Sequence, residues 1–307
     1  MRRFTPRLVL LVLAFLSCSS SSPRTELHRG QSPFTLITVT EDREGRRYLQ
    51  FDDSGALQSV VWPGQPKKLE LAYTRVSMVA LAFVPKPQRV LVVGLGGGAM
   101  PMFLRAVLPE AHIDVVDIDP DVVDVARRFF GFREDARLKA HVADGRTFIE
   151  AKRPAYDLIF LDAYGPDSIP EHLGTVEFLA AVRARLTARG AVVGNVWEYP
   201  PNPLFPSMLR TWQAGFTQLY TFEVANAANR IFVGVPYPEK QTRQALETIA
   251  NKVEKAQGVP FDLSALVVEG YADATTRKEL TGQVLRDAPA PAAPPPAPES
   301  KPSPPAP

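Results

Sequence analysis

The sequence predicts an α/β fold: a mostly parallel, seven-stranded sheet ending in an antiparallel hairpin, preceded by a small antiparallel β-domain. Three observations carry this. Residues 34–61 alternate apolar and polar side chains with period two, with turn residues at Asp52-Asp53-Ser54-Gly55. From Arg89 to Val196, short apolar runs alternate with amphipathic stretches, the mark of parallel strands covered by helices on both faces. Two late β-rich runs, 219–224 and 230–235, are separated only by 225–229, too short for a parallel crossover, so they pair antiparallel.

Taken in order, the β-domain spans 33–68, with strands at 34–39, 47–51 and 56–61. Leu69, Ala72, Val76, Val79, Ala80 and Phe83 recur every three or four positions and predict one helix over 69–83, ended by Pro85 and Pro87. A strand at 90–93 leads through a glycine loop to a helix at 99–107. The next strand, 113–116, is followed by Asp119-Pro120, a cap and first-turn pair that opens a helix. Strands at 138–142, 158–161 and 191–196, a helix at 175–186 and a last helix at 241–255 complete a catalytic domain over 69–287. This Rossmann-like layout is that of class I methyltransferases and their relatives.

Composition excludes several functions. A net charge of +2 over 307 residues leaves no basic footprint for nucleic acid. One cysteine permits neither an internal disulfide nor a cysteine-built zinc site, and the four histidines have no metal-type spacing, so no metal is expected.

The ends carry targeting and spacer signals. Arg2, Arg3 and Arg7, an apolar run over 8–16 and a serine-rich exit form a signal peptide over 1–18. The run is too short to span a bilayer, which needs about 20 apolar residues. Phe15-Leu16-Ser17-Cys18 resembles a bacterial lipoprotein cleavage box, with Cys18 as the lipidated residue. Export as a membrane-anchored or periplasmic protein is therefore expected; a misassigned start, and a cytoplasmic protein, is the alternative. Residues 19–32 read as a linker, and 288–307, rich in alanine and proline, as a disordered tail.

The chemistry lies at strand ends. Gly94-Leu95-Gly96-Gly97-Gly98 joins a strand to a helix, which lets backbone and helix N-terminus approach a ligand. About twenty residues on, Asp117 is placed to accept from ribose hydroxyls. Asp119 is set aside as a helix cap. Asp144, before Gly145, reaches the same crevice and can accept from an adenine amino group. Asp162 ends the strand beside the topological switch point and is a candidate base or anchor for a cationic substrate. Tyr164 follows it as a candidate wall of the substrate channel. Trp197, Tyr199 and the prolines at 200, 201 and 203 form either a lid or a rigid loop. A hydrolase built on Ser168 and His172 is disfavoured, since no G-x-S-x-G elbow exists.

The stretch 46–197 resembles the polyamine aminopropyltransferases, the spermidine synthase family. The likeness rests on Gln58-Ser59 in the hairpin, Tyr73, the glycine loop, Asp117-Ile118-Asp119, Asp144-Gly145 and the strand 156–162. It implies ribose held at Asp117, adenine at Asp144, a base at Asp162, acceptor contacts at Gln58 and Tyr73, and a homodimer. It also implies decarboxylated S-adenosylmethionine as co-substrate and an amine acceptor. Three positions depart from the family. Its loop Asp, which binds the aminopropyl ammonium, is Gly97; its Tyr-His-Glu is Tyr73-Thr74-Arg75; its second Asp after the base is Gly165. Each lost carboxylate removes a charge-assisted hydrogen bond of about 1.5–3 kcal/mol. Losing the loop Asp also removes the repulsion that rejects intact S-adenosylmethionine. Three readings follow: aminopropyl transfer to an amine, methyl transfer from S-adenosylmethionine to an unknown acceptor, or an exported non-catalytic nucleoside-binding domain.

Overall fold

The computed structural model describes residues 23–53, 55–151, 154–163, 170–198, 202–276 and 281–288. Several expectations fall outside these residues: the signal peptide with Cys18, Tyr164 and the departure at Gly165, Ser168, the part of the lid or rigid loop carried by Tyr199, Pro200 and Pro201, and the tail from 289.

The N-terminal sheet is an antiparallel meander of four strands, β1 (Thr25–Gln31), β2 (Leu36–Glu41), β3 (Arg47–Phe51) and β4 (Leu57–Val61). β1 corrects the expectation of a linker over 19–32. Its sequence, TELHRGQ, lacks apolar alternation; its strand conformation comes from pairing with β2 along its whole length.

The predicted helix over 69–83 is two short ones, α1 (Ala72–Ser77) and α2 (Ala80–Phe83). Met78 and Val79 donate to the carbonyls three residues back, at Arg75 and Val76, and this tighter winding breaks the α-helix. α2 is buried throughout and α1 buries Thr74, Val76 and Ser77, so packing fixes the inner face of the pair.

The remaining chain alternates β5 (Arg89–Val93), α3 (Ala99–Val107), β6 (His112–Asp117), α4 (Pro120–Phe129), β7 (Leu138–Val142), α5 (Gly145–Glu150), β8 (Tyr156–Leu161), α6 (Val176–Ala184), β9 (Leu186–Trp197) and α7 (Phe205–Gly215). The hairpin β10 (Gln218–Glu223) and β11 (Asn229–Val235), then α8 (Arg243–Gln257), α9 (Leu263–Gly270) and β12 (Tyr271–Asp273), complete it. The sheet order is β12-β10-β11-β9-β8-β5-β6-β7. β9 through β7 are parallel, and β11, β10 and β12 run antiparallel. The sheet thus has eight strands, not seven; three residues of β12, too short for a periodic signal, pair with β10.

Both faces are covered, as the continuous apolar strands require. Along β5, Val90 and Val92 enter one core, while Leu91 and Val93 enter the other. A third apolar cluster joins the N-terminal sheet (Ile37, Val39, Leu49, Val61) to α4 and the residue after it (Val122, Val125, Phe130). The order reverses between β5 and β8, which places a crevice above their carboxyl ends. Among the described residues no helix is long and apolar enough to cross a membrane, and no group of His, Cys, Asp and Glu could hold a metal ion.

Candidate active site

A cavity of about 690 Å³ opens at that crevice, roofed by the N-terminal sheet. Gln58, Tyr73, Gly94, Gly96, Asp117, Asp144, Gly145 and Asp162 all line it, although they come from six different segments.

Gly94 follows β5 with φ +101°, and a Cβ there would lie 2.3 Å from the carbonyl oxygen of Asp162. No side chain fits this close crossing. The amide of Asp162 in turn bonds the Val93 carbonyl at 2.8 Å, so the strand end fixes the loop that carries Asp162.

Asp117 is pinned by backbone: Leu95 N donates to one carboxylate oxygen at 2.8 Å and Asp119 N to the other at 3.0 Å. Burial is the largest influence on this group and raises its pKa, against the pull of those amides. Asp119 is buried, caps α4 through Asp121 N at 2.9 Å and accepts from Ser32 Oγ at 2.5 Å, the structural role expected of it. Asp144 caps α5 through Thr147 N at 2.8 Å and holds His172 Nε2 at 2.8 Å with its other oxygen. Burial pushes its pKa up, but the Thr147 amide and His172 outweigh that and hold it low. His172 therefore faces Asp144 and not Asp162.

Asp162 accepts from Tyr73 Oη at 3.2 Å and from Asn195 Nδ2 at 3.0 Å. Asn229 Nδ2 donates to Asn195 Oδ1 at 2.8 Å. Burial raises Asp162 to about pKa 7, with the Asn195 and Tyr73 hydrogen bonds opposing. A carboxylate at that value is poised to exchange a proton near neutral pH. Trp197 also lines the cavity, beside Leu71, Ala227 and Ala228. Asn195 and Asn229 escaped the sequence reading. The available signal was an asparagine inside an otherwise apolar strand, since a buried amide needs a partner.

Gly97 lies one residue deeper in the loop. A Cβ there would meet Ser59 Oγ at 2.8 Å and Phe130 Cδ1 at 3.0 Å. The loop is packed around the missing side chain.

Comparison with known proteins places this geometry. The spermine/spermidine synthase domain matches residues 70–198. The polyamine aminopropyltransferase of Vibrio vulnificus is 31% identical over 278 residues, covering 88% of this chain and 90% of that protein. The chain belongs to the spermine/spermidine synthase family. It is a transferase by that membership, and the family's fold is the one seen: the probable spermidine synthase of Corynebacterium glutamicum superposes with a TM-score of 0.69 at 21% identity, over 85% of this chain and 96% of that one. Methyltransferases are similar too. The human eEF1A lysine and N-terminal methyltransferase is 33% identical over 201 residues, covering 59% of this chain but 29% of that protein. The crystal structure of human methyltransferase-like protein 13 in complex with SAH matches at 30% identity and a TM-score of 0.57, over 62% of this chain and 95% of that one.

Proposed function

We propose that this transferase binds an S-adenosyl sulfonium donor in the crevice and passes an alkyl group from it to an amine, with Asp162 as the base. The observation that carries the reading is the Asp162 carboxylate, raised to about 7 and held by Tyr73 and Asn195 in the cavity that Asp117 and Asp144 also line. Asp117 offers acceptor oxygens for a ribose and Asp144 for an adenine amino group; the two sit at neighbouring strand ends.

In the reaction the amine nitrogen attacks the carbon bonded to the sulfonium sulfur, in line with the carbon–sulfur bond. That bond breaks, its electrons return to sulfur, and a neutral thioether leaves. The nitrogen must be uncharged when it attacks, so an ammonium first gives its proton to Asp162. Base assistance of this kind is typically worth about 10²–10⁴-fold. Alignment of the two reactants supplies most of the rest.

Aminopropyl transfer is the first reading, supported by the 31% identity to a polyamine aminopropyltransferase over nearly the whole chain. One specific observation favours methyl transfer as the second: the loop carboxylate that would bind the ammonium of the aminopropyl donor has no counterpart at Gly97, and the space for such a side chain is filled by Ser59 and Phe130.

Calorimetric titration with S-adenosylmethionine, its decarboxylated form and methylthioadenosine tests both. Tighter binding of the decarboxylated donor supports aminopropyl transfer; tighter binding of the intact donor supports methyl transfer. A folded protein that binds none of the three defeats the enzyme readings. Because the N-terminal segment reads as an export signal while such donors are made in the cytoplasm, fractionation of the native host should accompany the titration.

A further inference from the structure

Residues 281–288 cross the outside of the molecule as a strap, far in sequence from the cavity but not far in contacts. Gln283 N bonds Ser207 Oγ at 3.1 Å and Leu285 N bonds Thr211 Oγ1 at 2.8 Å, both on α7. Val176 N donates to the Leu285 carbonyl at 2.9 Å, and Asp287 N to Glu177 Oε2 at 3.0 Å, both on α6. The Leu285 side chain packs against the core beneath the sheet, 4.0 Å from where a Cβ on Gly174 would stand.

The strap ends in a clamp. Arg146, in the first turn of α5, pairs with Asp287 through both terminal nitrogens, at 2.7 and 2.6 Å. Asp287 also accepts from Thr175 Oγ1 at 2.7 Å, the residue whose hydroxyl caps α6. Bidentate pairing fixes the plane of the guanidinium as well as its position. The same Arg146 nitrogen donates to the carbonyl of His172 at 3.2 Å. His172 in turn sets its ring against Asp144. Pro170, His172 and Leu173 form one wall of the cavity beside Asp144. The hydrogen bonds from Arg146 and Thr175 drop the Asp287 carboxyl to about 2, so the clamp stays charged across the physiological range.

We propose that Asp287 is a positioning residue of the nucleoside wall: through Arg146 it holds the 170–173 turn, and with it His172, against Asp144. The C-terminal strap then sets affinity for the adenine end of the donor without touching it. This rests on the nucleoside site argued above. Asp287 differs from a merely structural residue because its effect on ligand passes through one ring, that of His172.

The test is a double-mutant cycle read by methylthioadenosine calorimetry, with hydrogen exchange of the 170–174 amides measured in parallel. Asp287→Ala is expected to weaken methylthioadenosine roughly 5- to 150-fold, the usual range for coupled sites. It should speed exchange at 170–174 and have almost no further effect in a His172→Ala background. Arg146→Lys, which keeps the charge but loses the fork, should give a smaller loss of the same kind and serves if Asp287→Ala fails to fold. Unchanged affinity, or an equal loss with and without His172, overturns the proposal. If the unaltered protein binds no nucleoside, the reading of the site fails on its own; unchanged exchange at 170–174 in the variants then overturns the strap's role as well.

Discussion

Asn229 Nδ2 donates to Asn195 Oδ1 at 2.8 Å, and this bond decides which end of Asn195 meets Asp162. An amide has one accepting and one donating end. With Oδ1 occupied from β11, Nδ2 is left to point at the Asp162 carboxylate, 3.0 Å away. Asn229→Ala frees the amide to turn its oxygen toward Asp162, which disfavours the ionised form. The midpoint of the acid limb of the rate–pH profile should rise by about one unit, since a hydrogen bond to the charged form is lost. The rate at pH 7 should fall about fivefold, as the ionised fraction drops from about a half to about a tenth. A profile with an unmoved midpoint would show that the relay has no role.

Asp162 itself gives two opposite predictions for one substitution. Its folded pKa is about 7 and its ordinary value 3.8, so the folded state binds the proton more tightly than the unfolded chain. For an acid shifted upward, the stabilising contribution is present in the protonated form at low pH and is lost as pH rises from about 4 through about 7. Above 7 the wild type carries a buried charge. Asp162→Asn keeps a neutral group of the same shape there. It should abolish transfer, yet melt above the wild type at pH 8 and close to it at pH 4. At about 2–4 °C per kcal/mol for a domain of this size, calorimetric scans at the two pH values resolve the difference. A variant less stable than wild type at pH 8 would mean that the carboxylate is held by more than Tyr73 and Asn195.

The same contrast explains what the sequence could reveal. Asp117, Asp144 and Asp162 were legible because each ends or follows a strand of the alternating strand–helix pattern, and a carboxylate at the carboxyl end of a parallel strand has one crevice to face. Asn195 was not, because its strand reads as buried throughout and its partner sits on β11, a strand whose register the sequence does not print. The hairpin β10–β11 followed from loop length alone, whereas β1 and β12 did not show, because their strand conformation is supplied by neighbours rather than by their own alternation. His172 carried no local signal: its place beside Asp144 depends on a turn that joins two other elements.

Ser32 shows how a residue in the expected linker reaches the site. Its hydroxyl accepts from Phe34 N at 3.1 Å and Thr35 N at 3.0 Å, and donates to the buried Asp119 at 2.5 Å. Phe34 and Thr35, on the turn so formed, line the cavity mouth. Ser32→Ala leaves a buried carboxylate short of a partner, which costs about 1–3 kcal/mol. The melting temperature should fall by about 2–12 °C, and donor binding should weaken. No change in melting temperature would mean that the N-terminal sheet is held by its apolar contacts with α4 alone.

Donor choice turns on Gly97. Its φ lies outside the left-handed region, so the backbone would accept any residue; the obstacle is space. Gly97→Asp forces its Cβ to 2.8 Å from Ser59 Oγ and 3.0 Å from both Ser59 Cβ and Phe130 Cδ1, distances at which something must move. Alone it should destabilise the protein by about 1–3 kcal/mol, the usual cost of overpacking. Ser59→Gly removes two of the three contacts, so Gly97→Asp with Ser59→Gly should regain part of that stability. The double variant then offers a carboxylate from a loop whose Gly96 and Ala99 line the cavity, and a carboxylate there attracts an ammonium and repels a carboxylate. Its preference should shift toward the decarboxylated donor by about tenfold or more, the effect of one charge-assisted contact of at least 1.4 kcal/mol. Competition calorimetry with the two donors measures the ratio directly. If the ratio does not move while the double variant folds, the glycine loop does not face the alkyl arm of the donor, and the choice between aminopropyl and methyl transfer must be made elsewhere in the cavity.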